Sequence, residues 1–447
     1  MLGFSQEIFC ARRKKIFENM EGSVMVLPAA PVSMKSRDTE FRYRADSELF
    51  YLTGVVDPGS LAVLNPNGDS GSFVLFIQPR DEEKERWDGK RLGLDEAKDI
   101  FCADEVYSLE DLEKYLPRLL SPAETIFFRL GSGSRIEQLV IQSLTTARIG
   151  RSRRILGPQS VADPGMVLDP MRIVKDPEEV ERIRQAAVVT VQAYQEMLPA
   201  IRPGVGEWEI EAVLDSEFRK RGAWGPAYTT IVGSGSNSTI LHYVSNNCTL
   251  ENGDLVLVDA GAEVDLYNAD ITRTLPISGR FSDRQNDIYE IVLCANREAI
   301  ETIRPGVSVD QIHLNSLDVL IQGLMELGIL NGDKDKIIED EIYKPFFPHQ
   351  TSHWLGLDVH DVGDYTFGKK PRILEPGMVL TVEPGLYFIP SPVSSIEVKD
   401  EVLSEYIGIG VRIEDDVLVT SDGNEVLTAS LPVTAEEIES LVGSIRD

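Results

Sequence analysis

Short apolar runs alternate with polar stretches along the first part of the chain. Three runs of strand length, at 22–29, 60–66 and 72–79, are each bounded by turn-forming residues. The stretch at 109–120 instead spaces its leucines at helical intervals, and residues 1–20 mix apolar and basic residues as an amphipathic helix does. This alternation predicts an α/β region with a core of its own.

A proline-rich segment then separates this region from the rest of the chain. After it, Asp176 suits the N-cap of a helix, Pro177 the first helical position, and Glu179 the return contact of a capping box. We therefore place the domain junction near residue 172, which predicts one domain over 1–172 and a second over 173–447.

The second region contains two internal echoes. The segment AIRPGVGEWEI at 200–210 returns as TIRPGVSVDQI at 302–312. Further along, NGDLVLVDAG at 252–261 is matched by EPGMVLTVEPG at 375–385. Because the two echoes occur in the same order, they predict an internal duplication.

The duplication pairs acidic residues. Asp259 and Glu383 occupy matching places, each at the end of an apolar run just before a turn. Asp270 follows the first run in a second strand-like stretch, and Glu414 follows the second run in the same way. If the halves pack about a pseudo-twofold axis, the four carboxylates meet at one place.

Composition narrows the classes of function. The formal net charge of −29 disfavours a nucleic-acid partner, because such a surface repels phosphate. No apolar run is long enough for a membrane helix, and the N-terminus does not have the pattern of a signal peptide. The scattered cysteines argue against a disulfide framework and a cysteine zinc site. We expect a cytoplasmic protein without nucleic-acid or membrane partners.

Four buried carboxylates at one place require compensation. Like charges at close range raise each other's pKa, and desolvation adds to the effect, so one or two bound cations would resolve the conflict. Taken singly, Asp259 also suits a turn, Asp270 a hairpin and Glu414 an exposed acidic run. Taken together, they predict a metal site of oxygen ligands, and a pair of metals would activate water as a nucleophile at neutral pH.

Histidines are concentrated beside these acids. The chain has five, and three of them, His349, His353 and His360, lie within the stretch HQTSHWLGLDVH. One imidazole would complete a metal's coordination, while others would bind substrate or a developing oxyanion. His242 lies in a loop rich in serine, glycine and asparagine, which favours a functional role, whereas His313 lies in a helical repeat and is interpreted as structural.

An ordered set of motifs now resembles a known family. LVLVDAG with NADITRT, HQTSHWLGLDVHDVG, MVLTVEPGLY and GVRIEDDVLVT are similar to the aminopeptidase P and prolidase metallopeptidases. FRYRADSELFYLTG and ERWDGKRLG resemble the amino-terminal domain of bacterial aminopeptidase P. The resemblance implies a mixed α/β (α+β) fold, with a creatinase-like α/β domain followed by a pita-bread domain of two pseudo-twofold-related halves.

The resemblance also implies a role for each residue of the site. Asp259 would bind one metal, Asp270 and Glu414 would bridge both, and His353 and Glu383 would bind the other. A further set of residues would contact the substrate or the tetrahedral intermediate, accept a proton or fix the carboxylates. These residues are His242, His349, His360, Glu383 and Arg412. The expected cofactor is two divalent ions, typically Mn²⁺, and the expected assembly is a dimer or tetramer.

The expected reaction is that of an Xaa-Pro aminopeptidase, with peptides carrying proline in second position as substrates. Bacterial members of the family often have glycine at the position of Gln350. The glutamine is expected to alter the shape of the pocket and so the range of substrates. Prolidase, which cleaves Xaa-Pro dipeptides, is the nearest alternative. A creatinase-like hydrolase without metal and an inactive binding module share the fold, but the intact ligand set speaks against both.

Overall fold

The computed structural model describes residues 3–66, 72–150, 157–389 and 400–443. The chain divides into two compact units, Met1–Met171 and Arg172–Asp447. The division falls one residue before the junction predicted at 172.

The first unit is a mixed α/β structure. Its elements in the described residues are α1 Gln6–Phe17, β1 Ser23–Pro28, β2 Met34–Ser36, β3 Thr39–Glu40, α2 Ser47–Thr53, β4 Leu61–Leu64, β5 Phe73–Ile77, α3 Glu82–Asp88, α4 Leu94–Phe101, β6 Glu105–Ser108, α5 Leu112–Leu120, β7 Thr125–Phe127, α6 Arg135–Gly150, β8 Ser160–Ala162 and α7 Gly165–Ile173.

A six-stranded sheet in the order β6-β5-β4-β1-β7-β8 forms the centre of this unit. The three predicted apolar runs form β1, β4 and β5, and β4 and β5 are buried along their whole length. Strands buried throughout need no polar alternation, which explains their continuous apolar sequences. The predicted helix at 109–120 begins with a 3₁₀ turn, Leu109–Asp111, and continues as α5.

The predicted first helix, α1, buries two arginines as well as apolar residues. The guanidinium of Arg12 donates to the backbone oxygen of Tyr51 at 3.0 Å, and that of Arg13 donates to the backbone oxygen of Leu52 at 2.8 Å. These bonds satisfy charged groups that would otherwise be costly to bury. The basic residues of this helix are therefore partly structural.

The second unit contains the duplicated segments. Its elements in the described residues are α8 Pro177–Met197, α9 Glu207–Lys220, β9 Gly225–Pro226, β10 Ile231–Ser234, β11 Leu255–Ala260, β12 Ala262–Val264, β13 Tyr267–Asn268, β14 Ile271–Pro276, α10 Asp283–Thr302, α11 Val309–Glu326, α12 Lys334–Glu339, β15 Thr366–Phe367, β16 Lys370–Pro371, β17 Val379–Val382, β18 Gly385–Tyr387, α13 Asp400–Leu403, β19 Gly410–Arg412, β20 Asp415–Val419, β21 Asn424–Val426 and α14 Ala435–Leu441.

Helix α8 begins as its sequence predicts. The side chain of Asp176 accepts from the backbone N–H groups of Glu178 and Glu179 at 3.0 Å each, and the carboxylate of Glu179 accepts from the N–H of Asp176 at 3.0 Å. Its buried face includes Ile183 and Tyr194. The capping box fixes the start of the second unit.

The two echoes have the same backbone geometry in each half. The Ile-Arg-Pro-Gly-Val segments join α8 to α9 and α10 to α11, and their glycines, Gly204 and Gly306, both have φ of 89°. Gly253 and Gly377, which precede β11 and β17, have φ of 94° and 92°. These left-handed values favour glycine, so the sequence echoes record a repeated chain path.

Strands from the two halves lie against each other. β11 pairs with β14 in the sheet β10-β11-β14, and β17 pairs with β20 in the sheet β17-β20-β21. The backbone N–H of Glu414 donates to the oxygen of Thr272 at 3.0 Å, and that of Asp270 donates to a carboxylate oxygen of Asp416 at 3.2 Å. The halves therefore meet where the predicted ligands lie.

The apolar core of the unit packs around these strands. It joins residues of α8, α10 and α11, such as Tyr194, Leu293 and Leu320, to Val256 of β11 and Val411 of β19. In the described part of the chain, no helix combines the length and apolarity needed to cross a membrane.

Candidate metal centre

Strand ends position four acidic side chains in one place. Asp259 lies near the end of β11 and Asp270 directly before β14, where Asp259 pairs with Thr272 in the antiparallel register. Glu383 directly follows β17, and Glu414 directly precedes β20. Asp259, Asp270 and Glu414 are 7%, 5% and 2% exposed. The structure thus brings together the four carboxylates that the duplication predicts.

His353 faces these acids through Nε2. That atom lies 3.5 Å from Asp270 Oδ2, 3.7 Å from Glu383 Oε1 and 4.0 Å from Glu414 Oε1. Its Nδ1 lies 3.0 Å from the backbone oxygen of Trp354. A proton on Nδ1 makes that hydrogen bond and leaves the lone pair of Nε2 for a metal, which is the arrangement typical of ligating histidines.

The electrostatics of the cluster favour a cation. Burial raises the pKa of Glu383 to about 7 and, with the neighbouring carboxylates, raises that of Glu414 well above its usual value. Burial also raises the pKa of Asp259, although Arg412 opposes the change. For His353, burial alone would lower the pKa, but Asp270 and Glu383 outweigh it and raise the pKa to about 9. A bound cation would favour the deprotonated form of each group.

The donor set fits a divalent metal ion. One ligand atom each of Asp270, His353 and Glu414 lies within 4.8 Å of the others. Carboxylate oxygens with one imidazole suit a borderline-to-hard divalent ion. Glu383 lies beside these three residues, and Asp259 lies beside Asp270.

Arg412 binds one of the acids directly. Its NH2 donates to Asp259 Oδ2 at 2.6 Å. Its Nε donates to Thr272 Oγ1 at 3.0 Å, and that hydroxyl donates to Glu414 Oε2 at 2.6 Å. Its NH1 donates to the hydroxyl of Tyr387 at 3.1 Å. The hydrogen bonds of Arg412 therefore reach Glu414 through Thr272.

Tyr228 is a member of the site that the sequence analysis missed. Its hydroxyl lies 2.5 Å from Asp259 Oδ1 and also contacts Asp270 Oδ1. Burial and the charge of Asp259 raise the pKa of Tyr228 well above its ordinary value. The hydroxyl has one proton, so it donates to only one of the two carboxylates at a time, and both acids keep their charge. Its segment, GPAYTTIVGSG, carries no charge or spacing that marks a ligand site.

A cavity of roughly 740 Å³ opens onto the acids. Its lining includes all five histidines of the chain: His242, His313, His349, His353 and His360. His242 lies just beyond a 3₁₀ turn, Gly235–Thr239, that follows β10. The ring of His360 packs edge-on against that of His353, with centroids 4.4 Å apart. The structure therefore places every predicted histidine at one site.

His349 is held in a fixed orientation. Its Nε2 lies 2.9 Å from the hydroxyl of Tyr387, and its Nδ1 lies 2.8 Å from the backbone oxygen of Gln350. Burial and the charge of Arg412 lower its pKa to about 3, so the imidazole is neutral at pH 7. Tyr387 ends the MVLTVEPGLY motif but was not singled out from the sequence.

Two further residues, His313 and Gln350, form part of the cavity wall. His313 lines the wall, and its Nδ1 lies 2.9 Å from Thr351 Oγ1, which ties α11 to the segment between His349 and His353. Gln350 also lines the wall. A residue larger than glycine at this position reduces the space available to a ligand.

These features define a class of protein: a metal-dependent hydrolase with its ligands divided between two duplicated halves. The chain belongs to metallopeptidase family M24, whose family model matches residues 181–421. A second model, the aminopeptidase P N-terminal domain, matches residues 9–127.

Relatives narrow the class further. The chain is 40% identical to the Xaa-Pro aminopeptidase of Escherichia coli strain K12 over 448 residues, which covers 100% of both sequences. It resembles the solved structure of Pseudomonas aeruginosa aminopeptidase PepP, with a TM-score of 0.92 and 41% identity over 99% of this chain and 98% of that one. It also resembles zinc-substituted E. coli aminopeptidase P in complex with product, with a TM-score of 0.91 and 40% identity over 99% and 100% of the two chains.

Proposed function

We propose that this protein is an Xaa-Pro aminopeptidase, which releases the N-terminal residue from peptides with proline in second position. The observation that carries the proposal is the meeting of Asp259, Asp270, His353, Glu383 and Glu414 at one cavity. The likeness to Xaa-Pro aminopeptidases along the whole chain supports it.

We assign the five ligands to two divalent ions, with Mn²⁺ as the metal. Asp259 would hold one ion, His353 and Glu383 would hold the other, and Asp270 and Glu414 would contact both. When bound, such ions activate water as a nucleophile and polarise the scissile carbonyl as Lewis acids. The four carboxylates, whose combined charge two divalent ions would balance, support two ions rather than one.

The remaining residues act on the peptide. We assign to His242 and His360 the polar contacts with the substrate and the developing oxyanion. Both ring nitrogens of His349 already have hydrogen-bond partners in the protein. We therefore assign to His349 a packing contact between its ring and the peptide. Glu383 accepts the proton released in the reaction. Arg412 holds Asp259 in place by a direct ion pair.

Proline explains the need for a dedicated enzyme. Its tertiary amide has no N–H and its φ is fixed, so peptidases that bind extended backbones accommodate it poorly. A site that binds the free amine and the ring avoids this obstacle. Asp310, an acidic residue of the cavity wall that is not a ligand, supports binding of a positively charged amine.

Hydrolysis by metal-free protein, with and without added Mn²⁺, tests the proposal. The substrates are Xaa-Pro dipeptides, Xaa-Pro-Yaa peptides and matched Xaa-Ala-Yaa peptides. We expect Mn²⁺-dependent cleavage of Xaa-Pro-Yaa, faster than that of the other two. Cleavage of dipeptides alone would instead favour prolidase, and metal-independent activity or no activity would contradict the proposal.

We further propose a pita-bread architecture for the second unit, a cytoplasmic location and a homo-oligomer, either dimer or tetramer. The likeness to aminopeptidase P over the whole chain supports the first and last points. Light scattering coupled to size-exclusion chromatography gives the mass of the assembly, and a monomer at micromolar concentration would contradict the last point.

A further inference from the structure

His360 depends on its backbone for its position. Its ring packs against His353, but no hydrogen bond to the imidazole occurs within the described residues. This distinguishes it from His349 and His353, whose rings are each oriented by hydrogen bonds. The segment that carries His360, residues 353–361, is called the histidine loop below.

Two buried cations, Arg172 and Lys175, form ion pairs with acids of this loop. Lys175 Nζ lies 3.0 Å from Asp361 Oδ2, and Arg172 NH2 pairs with Asp361 Oδ1 and, at 2.7 Å, with Asp358 Oδ2. The side chains of Arg172, Lys175 and Asp361 are 2%, 1% and 1% exposed. These four residues are named the Arg172 cluster. Asp361 directly follows His360 in the chain.

The Arg172 cluster leaves the loop little room to move. A Cβ on Gly356 would lie 2.2 Å from Asp361 Oδ2 and 3.0 Å from Lys175 Cε. The backbone N–H of Asp361 donates to the oxygen of Trp354 at 2.9 Å and closes the loop. The backbone N–H of Lys175 donates to Gly377 at 2.8 Å, which ties the cluster to the start of β17.

The other side of the loop is tied to the first half of the duplication. Asn268 Nδ2 donates to the backbone oxygens of Gly356 and Leu357 at 3.0 Å each, and Asn268 lies two residues before Asp270. The loop is therefore held on one side beside a metal ligand and on the other by the Arg172 cluster. Buried ion pairs contribute little net stability, but losing one partner leaves a costly unpaired charge.

We propose that Arg172 and Lys175 are positioning residues for His360. Neither residue lines the cavity, so they act through Asp361, whose buried carboxylate they hold and whose backbone carries the imidazole. The inference rests on the proposed function, which gives His360 its contact with the developing oxyanion. A displacement of about 1 Å at such a group is enough to lower turnover by about a hundredfold.

Kinetics of Arg172→Gln and Lys175→Met in the full-length, Mn²⁺-loaded protein test the proposal. We expect kcat on an Xaa-Pro-Yaa peptide to fall about 10- to 100-fold, with bound metal retained and KM changed less than about threefold. Arg172→Lys, which keeps the charge, recovers part of the rate. The matched control is Arg184→Gln, which breaks a partly exposed pair with Glu425 and leaves kcat unchanged.

A double-mutant cycle separates positioning from a general structural effect. In a His360→Ala background, Arg172→Gln is expected to lower kcat by less than about twofold, because the group it positions is absent. An equal fall in both backgrounds would overturn the proposal, as would loss of metal in place of turnover. If Arg172→Gln does not fold, Lys175→Met gives the same cycle. Wild-type protein inactive on every proline peptide would refute the proposed function instead.

Discussion

Metal affinity should depend steeply on pH, because the ligands must lose protons before they bind a cation. The pKa of His353 is raised to about 9 and that of Glu383 to about 7, both above their ordinary values. Protons therefore occupy these groups at pH 6 and have to be displaced. The affinity for Mn²⁺ therefore falls as the pH falls.

The two raised pKa values give the size of the effect. Between pH 8 and pH 6, competition by protons weakens binding about 100-fold at His353 and about tenfold at Glu383. Together they amount to about 1,000-fold, or ~4 kcal/mol. Asp259 and Glu414, whose pKa values are also raised, act in the same direction. Since the groups interact, these values belong to the cluster rather than to single residues.

Titration calorimetry at pH 6, 7 and 8, in buffers of different ionisation enthalpy, measures both affinity and released protons. At pH 6 we expect about two protons to be released when the ion held by His353 and Glu383 binds. Glu383→Gln should reduce the pH dependence by about tenfold, because it removes one titrating ligand. Glu425→Gln, at an ion pair with Arg184 outside the cavity, is the matched control and should leave it unchanged.

Thermal unfolding provides an independent check that metal binding weakens as the pH falls. The folded-state pKa values of Glu383 and His353 exceed their unfolded values of about 4.5 and 6.5. The metal-free protein therefore loses stability as the pH rises through about 7 and about 9. The rise in Tm on adding Mn²⁺ should be larger at pH 8 than at pH 6. An affinity that changes less than tenfold between these pH values would refute the reasoning.

Four other substitutions have definite expected outcomes. Asp270→Ala should abolish hydrolysis and reduce bound metal, whereas His360→Ala should lower kcat with metal largely kept; elemental analysis and kinetics distinguish the two, and full activity of Asp270→Ala would contradict the ligand set. Arg412→Met leaves a buried carboxylate without its cation and should destabilise the metal-free protein by about 3 kcal/mol in urea unfolding; no change would contradict the ion pair. Gly261→Ala places a Cβ 1.7 Å from the backbone oxygen of Ala269 and should cost about 2 kcal/mol or more; wild-type stability would show that the turn yields.

The repeated pattern explains why much of the fold and site could be predicted. The glycines after the paired acids, Gly261 and Gly385, each lie against a carbonyl oxygen, so a side chain has no space there. Steric demands of this kind leave identical residues in both halves. The acids that precede these glycines were therefore recognisable as a pair.

Other features could not be predicted because they depend on contacts between distant segments. Tyr228 and Thr272 touch the acids through hydroxyl groups, and neither residue type has a spacing that distinguishes ligand contact from packing. Arg412 and Asp259 lie in different halves of the duplication, so no local sequence pattern predicts that they pair. The Arg172 cluster was missed for the same reason, since Arg172 and Asp361 lie on opposite sides of most of the second unit's sequence.

Because the proposed ligands are divided between the halves, bound metal ions would have a second effect. Asp259 and Asp270 belong to one half, whereas His353, Glu383 and Glu414 belong to the other. An ion held by both sets acts as a noncovalent crosslink across about a hundred residues of chain, and closing a loop of that length restricts the unfolded ensemble. The ions proposed for hydrolysis would thus also keep the halves docked, so that chelation loosens the very seam in which the peptide binds.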